Sequence, residues 1–449
     1  MHFESIGLKT PEILFPKKGS DLRKWAVVAC DQYTSQPEYW NAIDKEIGQD
    51  PSTLRITFPE FYLEKENEAE QTERINTINK TMQEYLDQGT LGNLGECFIL
   101  LDRKTPYKPS RKGLIVALDL EHYDYNKGST TLIRATEGTI VDRLPPRVKV
   151  RKNAPIELPH IMVLIDDPEK TVIEPLFDKQ LEKIADFDLL ENSGHITSHK
   201  ISDPAIIQEI ASKIEALADQ KSFENKYGVT GQGPLLYAMG DGNHSLATAK
   251  AIWDDLKSLS ANANEVMNHP ARFALVELVN VHDDGLEFEP IHRVIFNVNT
   301  DEMFDQMKAH YDAEGSDFGY TACKSLDDAK SKKANLCTDG THGVVYIRGA
   351  EYGFLTIKSP KLNLEVGTLQ VFLDGFLREH SASTIDYIHG EDVVTDLGSN
   401  PGNIGFYLDG MSKHDLFKSV ILDGALPRKT FSMGEACEKR FYLECRKIR

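Results

Sequence analysis

Apolar residues in this chain alternate between short continuous runs and stripes at three- and four-residue spacing, which predicts an α/β fold with mixed sheets. Trp25-Ala-Val-Val-Ala-Cys30 reads as a short buried strand. Pro37 then opens a helix whose Tyr39, Trp40, Ile43 and Ile47 fall at helical spacing. Residues 64–88 form a long charged helix with Ile75, Ile78, Met82 and Leu86 on one stripe, and the acidic run Glu64–Glu70 as a solvated face. Strands are expected at Cys97–Leu101 and Leu114–Leu120. Between 131 and 170, Pro145, Pro146, Pro155 and Pro159 predict irregular or extended chain. Asp203-Pro204 caps a helix with Ile206, Ile207, Ile210, Ile214 and Leu217 on its apolar face. A strand at Pro234–Met239, a helix from Leu246 to about Leu256 and a strand at Arg272–Val281 follow. Beyond them come a helix around 298–312, a hairpin of Val344–Arg348 with Tyr352–Ile357, and helices near 368–379 and 412–421. The pattern divides into a main α/β domain at 1–297 and a C-terminal α+β subdomain at 298–449.

The segment with the most chemistry joins the strand at 234–239 to the following helix: Gly240-Asp241-Gly242-Asn243-His244-Ser245. Two glycines allow positive φ or close backbone approach to a ligand. Unpaired N–H groups and the positive dipole end at the helix start favour an anion, a phosphate or a carboxylate. Asn243, His244 and Ser245 add donors, and Asp241 can position a metal ion or accept a proton. A plain capping turn, with Asn243 or Ser245 as N-cap, uses the same residues equally well. The turn is neither a Walker A loop nor a dinucleotide fingerprint: no Gly-Lys-Ser/Thr follows, and Leu246 stands where a third glycine belongs.

Charge narrows the partners. With 51 Lys plus Arg against 70 Asp plus Glu among 449 residues, the net charge is −19, which repels nucleic-acid backbones and anionic membranes. No apolar run approaches the roughly 18–20 residues that span a bilayer, and the N-terminus lacks signal-peptide character. The six scattered cysteines contain no C-x-x-C pair, which fits free thiols and a cytoplasmic setting. A small-molecule substrate with a nucleotide is the expected partnership, and a homo-oligomer remains open.

Four blocks, in order, resemble the domain of unknown function (DUF) 1015 family. Met239-Gly-Asp-Gly-Asn-His-Ser-Leu-Ala-Thr-Ala249 is similar to that family's Ala-Asp-Gly-His-His-Arg-x-x-x-Ala block. Arg134-Ala-Thr-Glu137-Gly-Thr139 with Arg143 resembles its Arg-His-Glu-x-Thr block and downstream arginine. Pro290-Ile-His292-Arg293 resembles its Pro-Thr-His-Arg block, and Leu426-Pro-Arg-Lys429-Thr-Phe431 its C-terminal Met-Pro-x-Lys-Ser-Thr-x-Phe block. Ala29-Cys-Asp-Gln-Tyr33 extends the set. The family resembles free-serine kinases of the ParB/sulfiredoxin-like superfamily. The resemblance implies a nucleotide-dependent phosphotransferase using ATP or ADP with Mg²⁺, acting on L-serine or a similar hydroxy amino acid. It also implies catalytic roles for Asp241, Glu137, His244 and His292, with Asp241 towards the metal. Nucleotide contacts are implied for Gly240, Gly242, Asn243, Ser245, Arg134, Arg143, Arg293 and Lys429. Ser245 stands where the family has Arg, and Asn243 where it has the first His; losing the guanidinium removes a bidentate phosphate clamp.

Each candidate has a plainer role as well. Arg134, Arg143 and Arg147 can restore phosphate-binding charge or pair with carboxylates such as Asp142. Glu137 can be a general base or a salt-bridge partner, and Arg293 follows Asp283, Asp284, Glu287 and Glu289, any of which can pair with it. His292 can donate to a phosphate, whereas Lys429 can be merely solvated. His195 and His199 are expected on a strand or loop rather than on a zinc-binding helix. The enzyme reading therefore stands beside a non-catalytic nucleotide or phosphometabolite sensor. A metal-dependent hydrolase needs a cluster the sequence does not assemble, and charge argues against ParB-like DNA binding.

Overall fold

The structure is a computed structural model that describes residues 1–34, 36–63, 65–126, 128–138, 144–338, 340–427 and 429–449. The chain forms two compact units, Met1–Glu287 with Met433–Arg449, and Phe288–Ser432. The break comes before the expected 297/298 boundary, because β-strand His292–Phe296 pairs within the second unit. The last residues belong to the first unit, because their apolar side chains are buried in its core.

The first unit is built on a mixed sheet. Its main strands are β1 (Phe98–Lys104), β2 (Lys112–Asp119), β3 (Tyr123–Asp124), β4 (Ile133–Arg134), β5 (Met162–Ile165), β6 (Glu182–Asp188), β7 (His195–Ile201), β8 (Tyr237–Asp241) and β9 (Phe273–Asn280). They lie in the order β6-β7-β1-β2-β9-β5-β8-β4-β3. The pairs β5–β9, β8–β4 and β4–β3 are parallel and the rest along this path antiparallel. Successive side chains of a strand point to opposite faces. Leu100, Leu114 and Val116 therefore enter one core with Tyr237, Trp253 and Ile210, while Ile99, Ile115 and Leu275 pack on the opposite face. Both faces are covered, which is why the central strands read as continuous apolar runs.

Five helices of this unit matter below: α1 (Pro37–Ile47), α2 (Glu68–Asp87), α3 (Leu144–Arg151), α4 (Pro204–Leu217) and α5 (Asn243–Leu259). α1 begins at its proline as expected, and α4 is capped by Asp203, whose carboxylate accepts the Ala205 N–H at 2.8 Å. Two segments differ from expectation. Residues 131–170 include α3, whose Pro145 and Pro146 lie in its first turn, where a missing N–H costs no intrahelical bond. Leu22–Trp25 is a helical turn, followed by extended chain whose bridge partner at Val28 is Phe441. The buried strand expected at 25–30 is thus completed by the far end of the protein.

That end is an inserted segment. The Leu14 N–H donates to the Cys445 carbonyl and the Ala29 N–H to the Arg440 carbonyl, both at 2.8 Å. Trp25 Nε1 donates to the Leu443 carbonyl at 3.0 Å. Phe441, Tyr442, Leu443 and Cys445 are buried in the core formed with α1 and α2. Arg440, also buried, pairs with Glu277 on β9 at 3.0 Å and with Glu444.

The second unit is a six-stranded antiparallel sheet of β10 (His292–Phe296), β11 (Asp317–Cys323), β12 (Thr341–Arg348), β13 (Glu351–Lys358), β14 (Thr384–Ile388) and β15 (Ile404–Tyr407). Its order is β11-β13-β12-β15-β10-β14, and the β12–β13 hairpin is the expected one. Helices α6 (Thr300–Ala313) and α7 (Glu365–Glu379) pack on one face through Met303, Phe304 and Phe372. Ala329 and Val394 bring their helices, Leu326–Leu336 and Glu391–Gly398, to the other. No helix among the described residues is long and apolar enough to cross a membrane.

Removing Arg440 leaves Glu277 and Glu444 buried without their cation, which costs on the order of 3–5 kcal/mol for such a pair. Arg440→Ala is therefore expected to lower the urea midpoint of the first unit's unfolding sharply. An unchanged midpoint would show that the tail is not an integral part of that unit.

Candidate functional site

β8 carries the chain from the buried Tyr237–Met239 to the half-buried Asp241, where the sheet ends. Gly242 follows with φ 79°, the left-handed region, and serves as N-cap of the 17-residue helix α5 with no side-chain cap. Glycine is needed here twice over, since a Cβ would also lie 3.0 Å from the Ile161 Cα. Because the helix begins at Asn243, earlier than Leu246, neither Asn243 nor Ser245 is the N-cap; both lie in the first turn. The Ser245 and Leu246 N–H groups bond the Gly242 carbonyl at 2.9 and 3.0 Å. The Asn243 Oδ1 atom is buried and lacks a hydrogen-bond partner among the described residues.

Two chain segments remote in sequence reach this turn. Lys439, from the inserted tail, places Nζ 3.2 Å from Asp241 Oδ2, while Asp241 Oδ1 accepts the Gly242 N–H at 2.8 Å. Burial alone raises the Asp241 pKa, but Lys439, His160 and the Gly242 N–H outweigh it and hold the carboxyl below the usual carboxylate range. His160, in the loop before β5, sets Nε2 2.8 Å from Ser245 Oγ and Nδ1 2.8 Å from Tyr442 Oη. Beside them lies a cavity of about 140 Å³ lined by Ser245, His160, Tyr442 and Cys30, by the apolar Met82 and Leu275, and by the ion pair of Arg147 with Glu60 at 2.5 Å. Burial pushes the Glu60 carboxyl up despite that arginine.

The block at 134–137 joins the turn through the sheet. β4 runs parallel to β8 with Arg134 opposite Ala238, and Thr136 Oγ1 donates to the Met239 carbonyl at 2.6 Å. β4 ends at Arg134, three residues before Glu137. Arg134 itself is buried and donates to the Thr131 carbonyl at 2.9 Å and the Gly233 carbonyl at 2.5 Å, and burial pulls its pKa down to about 10. Arg143 lies outside the described residues. Gly240 is packed against Met433 and Leu164, and the His244 carbonyl accepts from Thr248 Oγ1 at 2.7 Å.

The two later blocks meet each other inside the second unit. Arg293 is fully buried: its Nη2 donates to the Lys429 carbonyl at 2.9 Å, its Nε to Gln370 at 3.1 Å, and its guanidinium lies over the Tyr387 ring. Lys429 has φ 59° and Thr430 Oγ1 bonds the Pro427 carbonyl at 2.7 Å. His292 accepts the Leu408 N–H on Nδ1 at 3.1 Å, and burial keeps it below its ordinary pKa and so neutral. His195 lies on β7, as expected of that sequence, between Asp186 and Asp188 at 2.8 Å each. Among the described residues no three His, Cys, Asp or Glu side chains gather as a metal ligand set.

His160, Lys439 and Tyr442 were not legible as site residues. His160 sits in a proline-rich stretch without a motif, and Lys439 and Tyr442 follow the last recognisable block. No local signal marks them, since the pairing of β5 with β8 brings His160 to the turn and the tail's insertion brings Lys439 and Tyr442.

Comparison with solved structures gives distant likenesses. One is a free serine kinase variant in complex with AMP, 11% identical, covering 75% of this chain and 91% of that one at a TM-score of 0.38. A second is a free serine kinase variant in complex with ADP, 10% identical, covering 75% and 92% at a TM-score of 0.37. A third is a conserved hypothetical protein from Pyrococcus furiosus, 12% identical, covering 73% and 90% at a TM-score of 0.34. Comparison with curated proteins gives no match. Residues 14–376, spanning both units, match the family described as a protein of unknown function, DUF1015. The chain belongs to the DUF1015 family.

Proposed function

We propose that this protein binds a nucleotide at the Gly240–Ser245 turn and transfers a phosphoryl group to a small hydroxy amino acid such as L-serine. The observation that carries the reading is the Gly242-led start of α5, without a side-chain cap and met by Lys439 and His160. The positive end of the helix dipole suits a phosphate. Lys439 supplies there a cation that the Ser245 position lacks relative to the family's arginine. As a point charge it can attract a phosphate without the bidentate geometry of a guanidinium.

In this reading Gly242, Asn243 and Ser245 line the phosphates, and Asp241 with Glu137 faces the acceptor hydroxyl. Mg²⁺ fits the ionised Asp241 as its one protein carboxylate, since this ion commonly takes its other ligands from phosphates and water. When bound it would neutralise phosphate charge. The assignment of the turn to a ParB/sulfiredoxin-like ligand site is part of the same proposal. A nucleotide or phosphometabolite sensor is the second reading, favoured by one observation: both Asp241 oxygens are already engaged, by Lys439 and by the Gly242 N–H.

ATP or ADP with Mg²⁺ is expected to raise the melting temperature, a ligand at 100 times its Kd adding about 2.7 kcal/mol. Lys439→Ala removes a charge-assisted contact of about 1.5–3 kcal/mol and should weaken nucleotide binding about tenfold to a hundredfold. Phosphoserine formation from serine decides for the enzyme, and binding without turnover decides for the sensor. No thermal shift with any nucleotide would sink the enzyme and the nucleotide sensor, leaving a phosphometabolite as the ligand of the second reading.

The depressed Asp241 pKa also fixes a pH dependence. A carboxyl whose folded pKa lies below its unfolded value adds stability that is fully present above about pH 4 and is lost as pH falls through the folded value. Asp241→Asn should therefore flatten the acid limb of the stability profile while leaving its shape near neutrality unchanged. An acid limb identical to that of the unmodified protein would show that the pair with Lys439 contributes nothing.

A further inference from the structure

The hydroxyl of Ser245 is held by a hydrogen-bonded chain that anion binding does not require. Ser245 Oγ is 2.8 Å from His160 Nε2, and His160 Nδ1 is 2.8 Å from Tyr442 Oη. Tyr442 Oη accepts the Cys30 N–H at 3.1 Å. In the tautomer with the imidazole hydrogen on Nδ1, Oη accepts that hydrogen as well as the Cys30 N–H. Nε2 is then the unprotonated nitrogen, turned on the serine hydroxyl.

This is the logic of an activated serine: a nucleophile bonded to a base, and a third group that sets the tautomer of the base. Tyrosine takes the orienting place here. The position of the dyad suits it as well. Ser245 lies in the first turn of α5, where negative charge on its oxygen is favoured by the helix dipole. Ser245 and His160 both line the cavity of about 140 Å³, so the dyad faces ligand space.

We propose that Ser245 is a nucleophile with His160 as its base, and that it carries the phosphoryl group as a phosphoserine intermediate between nucleotide and acceptor. The inference rests on the nucleotide reading above. In the first step Ser245 Oγ bonds to the terminal phosphorus of a nucleoside triphosphate, and the bond from that phosphorus to its bridging oxygen breaks. The serine proton passes to His160 Nε2, and the electron pair leaves with the nucleoside diphosphate. In the second step His160, having lost that proton to solvent, takes the proton of the acceptor hydroxyl as its oxygen attacks the phosphorus. The Ser245 oxygen leaves with the electron pair and recovers a proton from His160. Tyr442 acts through His160 and is a positioning residue.

The test uses the full chain, with folding of each variant checked by thermal melting. The protein is incubated with γ-labelled ATP and Mg²⁺ and, separately, with a fluorophosphonate probe, and modified serines are mapped by mass spectrometry. Both reagents are expected to modify Ser245. Ser245→Ala should abolish the modification and His160→Gln should slow it about a hundredfold, the usual range for a general base. Tyr442→Phe should shift the pH profile of probe labelling, a readout a purely structural role would leave in place. If nucleotide stabilises the protein and neither reagent modifies Ser245, the intermediate is overturned while the nucleotide reading stands. If the probe labels Ser245 but no nucleotide binds, the nucleotide reading fails and takes the phosphoryl donor, and so this proposal, with it.

Discussion

The first unit depends on a buried ion pair made across the length of the chain, between Arg440 in the C-terminal tail and Glu277 on β9. Both groups are almost wholly buried, and Glu444 binds the same guanidinium. Such a pair is a costly way to gain stability, since desolvation offsets much of the attraction. Its value lies in position. An arginine that must meet its carboxylates inside the core allows the tail one register, and that register lays Phe441, Tyr442 and Leu443 into the apolar core beside α1 and α2.

The same register brings the tail to the Gly-rich turn. Lys439 immediately precedes Arg440 and reaches Asp241; Tyr442 follows two residues later and reaches His160. The turn, its nearest paired cation and the hydrogen-bond partner of its histidine thus come from segments separated by about two hundred residues in sequence. A chain with net charge −19 repels anions over most of its surface. At the turn the fold places Lys439, paired with Asp241.

Relative to the resemblance drawn from sequence, the cations are redistributed. Ser245, which stands where the resembled block has arginine, bonds His160. Arg134 is occupied with the carbonyls of Thr131 and Gly233, and Arg293 with that of Lys429. These arginines are thus engaged with backbone carbonyls of the protein itself. Thr136 bonds the Met239 carbonyl of β8, and Arg293 bonds the Lys429 carbonyl.

Much of the architecture was legible in the chain because it rests on local rules. Helices α1 and α4 start at their prolines, the β12–β13 hairpin closes at Gly349, and β7 takes the extended form that His195 and His199 suggested. Periodicity and capping are properties of neighbouring residues, so the sequence by itself determined these elements and the glycine-rich link between β8 and α5. Three matters were decided only by tertiary structure. The extended segment after Trp25 found its partner in Phe441, the tail joined the first unit, and His160 and Lys439 arrived at the turn. Each depends on contacts between residues more than eighty positions apart, and no local pattern encodes a pairing whose energy comes from burying one distant segment against another.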